Sequence, residues 1–191
     1  MKNVIDTNPF ITACVSEDCK EKIIRYLQDH NSLMILTIYN EIKDKLLMLH
    51  AGLMGFENIS IKGNKKALLD LPIFKSIKES SEEVYNFINN AGNPRGVQIS
   101  IGILLSKINK LPKYPNNDFK KSEIIQTQKR ILKLPKIKEN DLNHLYLMYD
   151  YSQNFASLIN FYTEDKKDYL NNKEEIEKTL KDIKIKSFSE F

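Results

Sequence analysis

Two strand-length apolar runs, one near each end of the chain, stop at an acidic residue, and this constrains the fold more than any other feature. Asn3-Val4-Ile5 ends at Asp6, and the run from Leu158 to Glu164 ends at Asp165. Helical patterns follow. Strands that alternate with helices build an α/β fold around a parallel sheet, and in an open sheet of that kind ligands sit beyond the carboxyl ends of the strands. Two more acids, Glu41 and Asp141, stand early in helical stretches beside strand patterns. If the strands are parallel neighbours, Asp6, Glu41, Asp141 and Asp165 converge. Carboxylates ~5 Å apart repel by roughly 3 kcal/mol per pair in an effective dielectric near 20. A bound divalent cation offsets that repulsion.

Between the two runs the pattern is mostly helical. Asn8 before Pro9 predicts an N-cap and first-turn proline, with a short helix through Phe10 to Val15. Ser16 starts a second helix with Ile23, Ile24 and Leu27 on its inner face, and Ser32 to Leu36 reads as a buried strand. Thr37 then caps a long helix whose apolar residues Ile38, Ile42, Leu46, Leu49 and Leu53 keep a helical step up to Gly52 and Gly55. From about 56 to 135 prolines punctuate the chain, and helices are predicted at Ser81 to Ile88, Val97 to Ile108 and Ser122 to Leu134. In the middle one, Val97, Ile99, Ile101 and Ile103 also alternate as a strand would; helix is the preferred reading. Asn140 caps a helix with Leu142, Leu145, Met148 and Tyr149 inward. Glu174 to Lys181 is helical, and Ile183 with Ile185 alternates as a last short strand.

With 191 residues, of which 41% are hydrophobic, the chain can build one substantial core. A single α/β domain spanning 1–191, with a helical insertion at about 56–135, is therefore expected. No run approaches the roughly 20 apolar residues that span a bilayer, and the first residues enter a strand pattern with no signal-peptide layout. A soluble, cytoplasmic protein with no membrane partner follows as an expectation. Cys14 and Cys19 have no second pair at zinc-like spacing and read as reduced helix cysteines. His30, His50 and His144 have no nucleophile partner in the pattern and read as structural or exposed. The net charge is only +4, yet ten basic residues lie between Lys107 and Lys138 against Asp118 and Glu123. Nearly all are lysines, point charges suited to phosphate attraction rather than to forked readout of base edges. The plainer alternative is a solvated lysine-rich surface.

Singly, each acid has an ordinary explanation: a turn residue at Asp6, a helix pair with Lys45 at Glu41, a first-turn charge at Asp141, a cap for Lys166 to Leu170 at Asp165. Their order and context resemble the PIN-domain ribonucleases. That family opens on a strand ending in Asp-Thr-Asn or Asp-Thr-Ser, here Asp6-Thr7-Asn8, and carries a Glu early in the helix after its second strand, here Glu41. An Asp at the start of a helix before the fourth strand matches Asp141; Thr-x-Asp after that strand matches Thr163-Glu164-Asp165, with Asp168-Tyr169 where members often have Asp-Phe. The resemblance covers 1–55 and 135–191. It implies a three-layer α/β/α domain with a mainly parallel central sheet, an endoribonuclease activity, and Mg²⁺ or Mn²⁺ held by Asp6, Glu41, Asp141 and Asp165. Asp6 would be the central ligand and Glu41 would bind or orient the attacking water, with Asn8, Thr163 and Asp168 holding the ligands. RNA is the implied partner, met by Lys129, Arg130, Lys133, Lys136 and Lys138. A toxin of a toxin–antitoxin pair, with an antitoxin partner and a homodimeric state, and an RNA-processing nuclease are both within the implied range. The main alternative is a PIN-like RNA-binding or interaction module with little activity. A haloacid-dehalogenase-like site would need an acid where Asn8 stands, and no glycine cluster suits a phosphate-binding loop.

Overall fold

The computed structural model describes residues 1–60, 86 and 94–191; the predicted helix at Ser81 to Ile88 therefore falls outside the described residues apart from Asn86. The chain divides into two compact units, one made of Met1–Thr7, Tyr26–Asn40 and Leu111–Phe191, the other of Asn8–Arg25 and Glu41–Lys110. The described part of the stretch expected as an insertion is thus shared, its described residues up to Lys110 falling in the second unit and those from Leu111 in the first.

Among the described residues, the first unit carries all the strands. β1 (Lys2–Ile5) pairs in parallel with β4 (Ile159–Thr163), which pairs in parallel with β5 (Ile183–Ser187). A second parallel pair joins β2 (Met34–Ile35) to β3 (Lys113–Tyr114), and a parallel bridge between Asn3 and Ser32 sets β1 beside the chain entering β2. Every residue of β4 is buried, as suits a strand with neighbours on both edges in a parallel sheet. β5 alternates instead, with Ile183 and Ile185 buried and Lys184 exposed. The class is mixed α/β with parallel strands, as the alternation of patterns implies. β3 is only two residues long, so no periodicity marks it. The strand read at Ser32 to Leu36 contracts to β2 because Leu36 already begins a helix.

The helices follow the apolar stripes and depart from the expected ends. α1 (Thr7–Thr12) starts one residue before Asn8, and at that first residue the Asp6 carboxylate accepts the Thr7 N–H at 2.7 Å. Pro9 still lies in the first turn, where its missing N–H leaves no intrahelical bond unmade. α2 (Glu17–Gln28) is followed, after β2, by α3 (Leu36–Ser60), whose Ile38, Ile42, Leu46, Leu49 and Leu53 are fully buried. α3 runs past Gly52 and Gly55, where an end was expected. Burial of its stripe outweighs the ~1 kcal/mol that a glycine costs a helix. α4 (Pro94–Lys110) settles the ambiguous segment: Val97, Ile101, Leu104 and Ile108 are buried, while Ile99 is 59% and Ile103 42% exposed. Strand alternation would have put Val97, Ile99, Ile101 and Ile103 on one face.

α5 (Asp118–Ile131) is capped by Asn117, whose side chain accepts the Lys120 N–H at 2.9 Å, so the helix starts four residues earlier than Ser122. α6 (Glu139–Phe155) has Lys138 rather than Asn140 at its N-cap and buries His144 to Met148 without a break. After β4, a 3₁₀ turn at Leu170–Asn172 leads into α7 (Lys173–Thr179) and then β5.

Candidate metal centre

β4 ends at Thr163, and its chain direction points the following residues beyond the carboxyl edge of the sheet. There the Asp165 carboxylate accepts the Asp168 N–H at 2.9 Å, and the Asp165 carbonyl accepts the N–H groups of Tyr169 and Leu170. This capped turn brings the two carboxylates to one side of the chain. The start of α6 faces them: the Lys138 N–H lies 3.4 Å from Asp168 Oδ1, so the partly positive end of the helix complements the acids. Asp141, in the first turn of α6, completes the group. Ligand oxygens of Asp141, Asp165 and Asp168 all lie within 4.8 Å of one another.

Asp6 is joined to this group through one hydroxyl. Buried Thr163 donates from Oγ1 to Asp6 Oδ2 at 2.7 Å and accepts the Asp165 N–H on the same oxygen at 2.9 Å. Both Asp6 oxygens thus take short hydrogen bonds, from Thr7 N–H and Thr163. Asp168, expected as a supporting residue, is itself one of the three gathered acids. Glu41 lies in the second unit, where Lys45 Nζ pairs with it at 2.7 Å in the i,i+4 arrangement. Asn8 belongs to the second unit as well.

The electrostatics of the three acids are unbalanced. Lys138 Nζ stands 3.1 Å from Asp168 Oδ2, supplying one positive charge to three carboxylates. That oxygen is buried and has no hydrogen-bond partner, so the ammonium neutralises it by charge rather than by a well-aligned bond. The pairing holds the Lys138 ammonium above its ordinary range. Burial, and then the charges of Asp168 and Asp165, push the Asp141 carboxyl up to about 6, against the Tyr169 hydrogen bond and Lys138, which act the other way. Three oxygen donors of this kind suit a hard divalent ion such as Mg²⁺ or Mn²⁺, which binds through a few carboxylates and keeps several waters.

A pH dependence follows. Because Asp141 titrates near 6 in the fold and near 3.8 ordinarily, the folded chain holds a proton across that window which the unfolded chain has released. Its contribution to stability is complete below the lower value and is lost as pH rises through the upper one. The unfolding midpoint of the metal-free protein should therefore fall between about pH 4 and pH 6.5, and Asp141→Asn should flatten part of that fall. Thermal melts by circular dichroism across the window check this; identical profiles for the two proteins would contradict it.

The basic belt reaches the same place. Between α5 and α6, Pro135 and Ile137 are buried while Lys133, Lys136 and Lys138 are exposed, so the lysines line the outer side of the strand-like connection. Lys129 pairs with Glu139 at 3.0 Å, and Arg130 is exposed. Elsewhere, Cys14 and Cys19 are buried thiols outside any disulfide, and burial pushes Cys14 up to about 12, far from a reactive thiolate. His30 is exposed beside Asp29, whereas His144 is buried with its Nδ1 3.1 Å from the Tyr169 hydroxyl. Among the described residues no helix is long and apolar enough to cross a membrane. Compared with known families, characterised proteins and solved structures, the chain matches none.

Proposed function

We propose that the chain is a metal-dependent ribonuclease of the PIN type. What carries this proposal is the convergence of Asp141, Asp165 and Asp168 beyond the carboxyl end of β4, where an α/β sheet presents its ligand site. In this scheme the three acids hold Mg²⁺ or Mn²⁺, and Asp6, linked through Thr163, fixes the strand exits relative to each other. A divalent ion bound there supplies a water of lowered pKa and neutralises charge on the leaving oxygen of a phosphodiester. Lys133, Lys136 and Lys138 hold the RNA backbone beside the acids. The Lys138–Asp168 ion pair favours one rival: an RNA-binding module whose acids are neutralised by lysine, with little cleavage.

Purified protein should cleave single-stranded RNA when Mg²⁺ or Mn²⁺ is present, lose that activity in chelator, and regain it when the ion is restored in excess. RNA binding without ion-dependent cleavage would establish the module instead. The lysine belt has its own expected result. For single-stranded nucleic acid each neutralised phosphate adds a slope of about 0.7 in log affinity against log salt, so Lys133→Ala/Lys136→Ala should lower the slope by roughly 1.4. Binding measured in chelator over a salt series tests this, and an unchanged slope would move the RNA path to another face.

A further inference from the structure

Tyr169 is fully buried, yet its hydroxyl reaches the acid group. It donates toward both the Asp141 carbonyl oxygen and Asp141 Oδ1, each at 3.2 Å, while His144 Nδ1 lies 3.1 Å on its other side. The tyrosine hydroxyl has one proton, and a backbone carbonyl and an ionised carboxylate only accept. That proton therefore goes to Asp141. The hydroxyl oxygen must then accept from His144, which places a hydrogen on Nδ1. His144 is itself buried in the second turn of α6, one turn on from Asp141, and the Tyr169 ring meets Phe161 of β4 edge-on with centroids 4.8 Å apart. The hydroxyl is thus held from three directions: by the histidine, by the strand through the ring, and by its place next to Asp168 in the capped turn.

We infer that Tyr169, oriented by His144, is a positioning residue for Asp141: it fixes the carboxylate rotamer that keeps Asp141 within reach of Asp165 and Asp168. The inference rests on the metal-centre reading above and adds a function to two residues that it does not use. A hydroxyl bridging the main chain and side chain of the same aspartate ties carboxylate orientation to the helix backbone, which a solvated Asp141 would lack. Supporting groups of this kind, when removed, typically weaken metal binding by 10- to 100-fold.

Mn²⁺ titration followed by electron paramagnetic resonance tests it, since the free ion's six-line signal reports binding and the bound signal reports ligand geometry. Tyr169→Phe keeps the ring contact with Phe161 and removes only the hydroxyl. It should weaken Mn²⁺ binding by about 10-fold or more and broaden the bound-ion signal. His144→Leu should do the same to a smaller degree, and His144→Asn, whose amide N–H falls near the Nδ1 position, should restore most of the loss. Mn²⁺ affinity and spectrum identical to the parent in Tyr169→Phe would overturn the inference, as would His144→Asn behaving like His144→Leu. A parent protein that binds no Mn²⁺ would remove the metal centre itself, a result distinct from either.

Discussion

Asp165→Asn should leave the chain folded and reduce both Mn²⁺ binding and RNA cleavage at least 100-fold. The substitution is close to shape-conserving, and the amide oxygen can still accept the Asp168 N–H that caps the turn after β4. What it removes is one negative charge from a group whose oxygens lie within 4.8 Å. Even at the dielectric of bulk water, a unit charge about 3 Å from a divalent ion is worth roughly 2.8 kcal/mol, or about two decades in affinity. The metal-free variant should melt at a higher temperature than the parent, because the remaining acids repel less, and Asp141 should titrate closer to its ordinary value. Calorimetric Mn²⁺ titration, an RNA cleavage assay and a melt of the metal-free protein give the three readings. Cleavage by well-folded Asp165→Asn at near-parental rate would remove Asp165 from the site.

The second large effect is expected at Thr163, through the fold rather than through charge. Its hydroxyl ties the Asp6 carboxylate to the turn after β4: it donates to Asp6 and accepts the Asp165 N–H. Valine matches threonine in shape and suits a strand at least as well, so Thr163→Val isolates the hydroxyl. A hydrogen bond to a carboxylate contributes about 1.5–3 kcal/mol, and the part-buried Asp165 N–H that loses its acceptor adds to the cost. A destabilisation of roughly 2–3 kcal/mol should lower the midpoint by about 4–12 °C in a domain of this size. Thr163→Ser, which keeps the hydroxyl, should recover most of it. A Thr163→Val melt within a degree of the parent would mean that the strand exits are fixed by other contacts.

Much of this was legible in the sequence, for identifiable reasons. The stripe from Ile38 to Leu53 and the exits at Asp6 and Asp165 were visible because burial on one helix face, or inside a parallel strand, forces a period on the chain. Segment ends were less legible. α1 begins at Thr7 rather than after Asn8, a matter of how the chain leaves β1 rather than of residue type. β3 left no signal because two residues have no period. The make-up of the acid group was only partly visible: Asp165 and Asp168 are three apart, the spacing of a capped turn, but that spacing is equally that of an ordinary turn. Nothing in the pattern linked His144 to Tyr169. They lie 25 residues apart on separate elements and meet only where the start of α6 packs against the turn after β4.

The parallel pairing of β1 with β4 also bears on how the protein is made. Each residue of β1 has its partner 157 positions later, since Lys2 pairs with Ile159 and Ile5 with Tyr162. At a synthesis rate of about 5–20 residues per second, β1 emerges roughly 8–30 s before β4 exists. Through that interval β1 has the parallel bridge from Asn3 to Ser32 but not its β4 partner, which leaves the apolar strand edge at Val4 and Ile5 open to another chain. Asp6 and Asp165 cannot be joined by Thr163 before then either, so the growing polypeptide remains without its assembled acid group until β4 has left the ribosome.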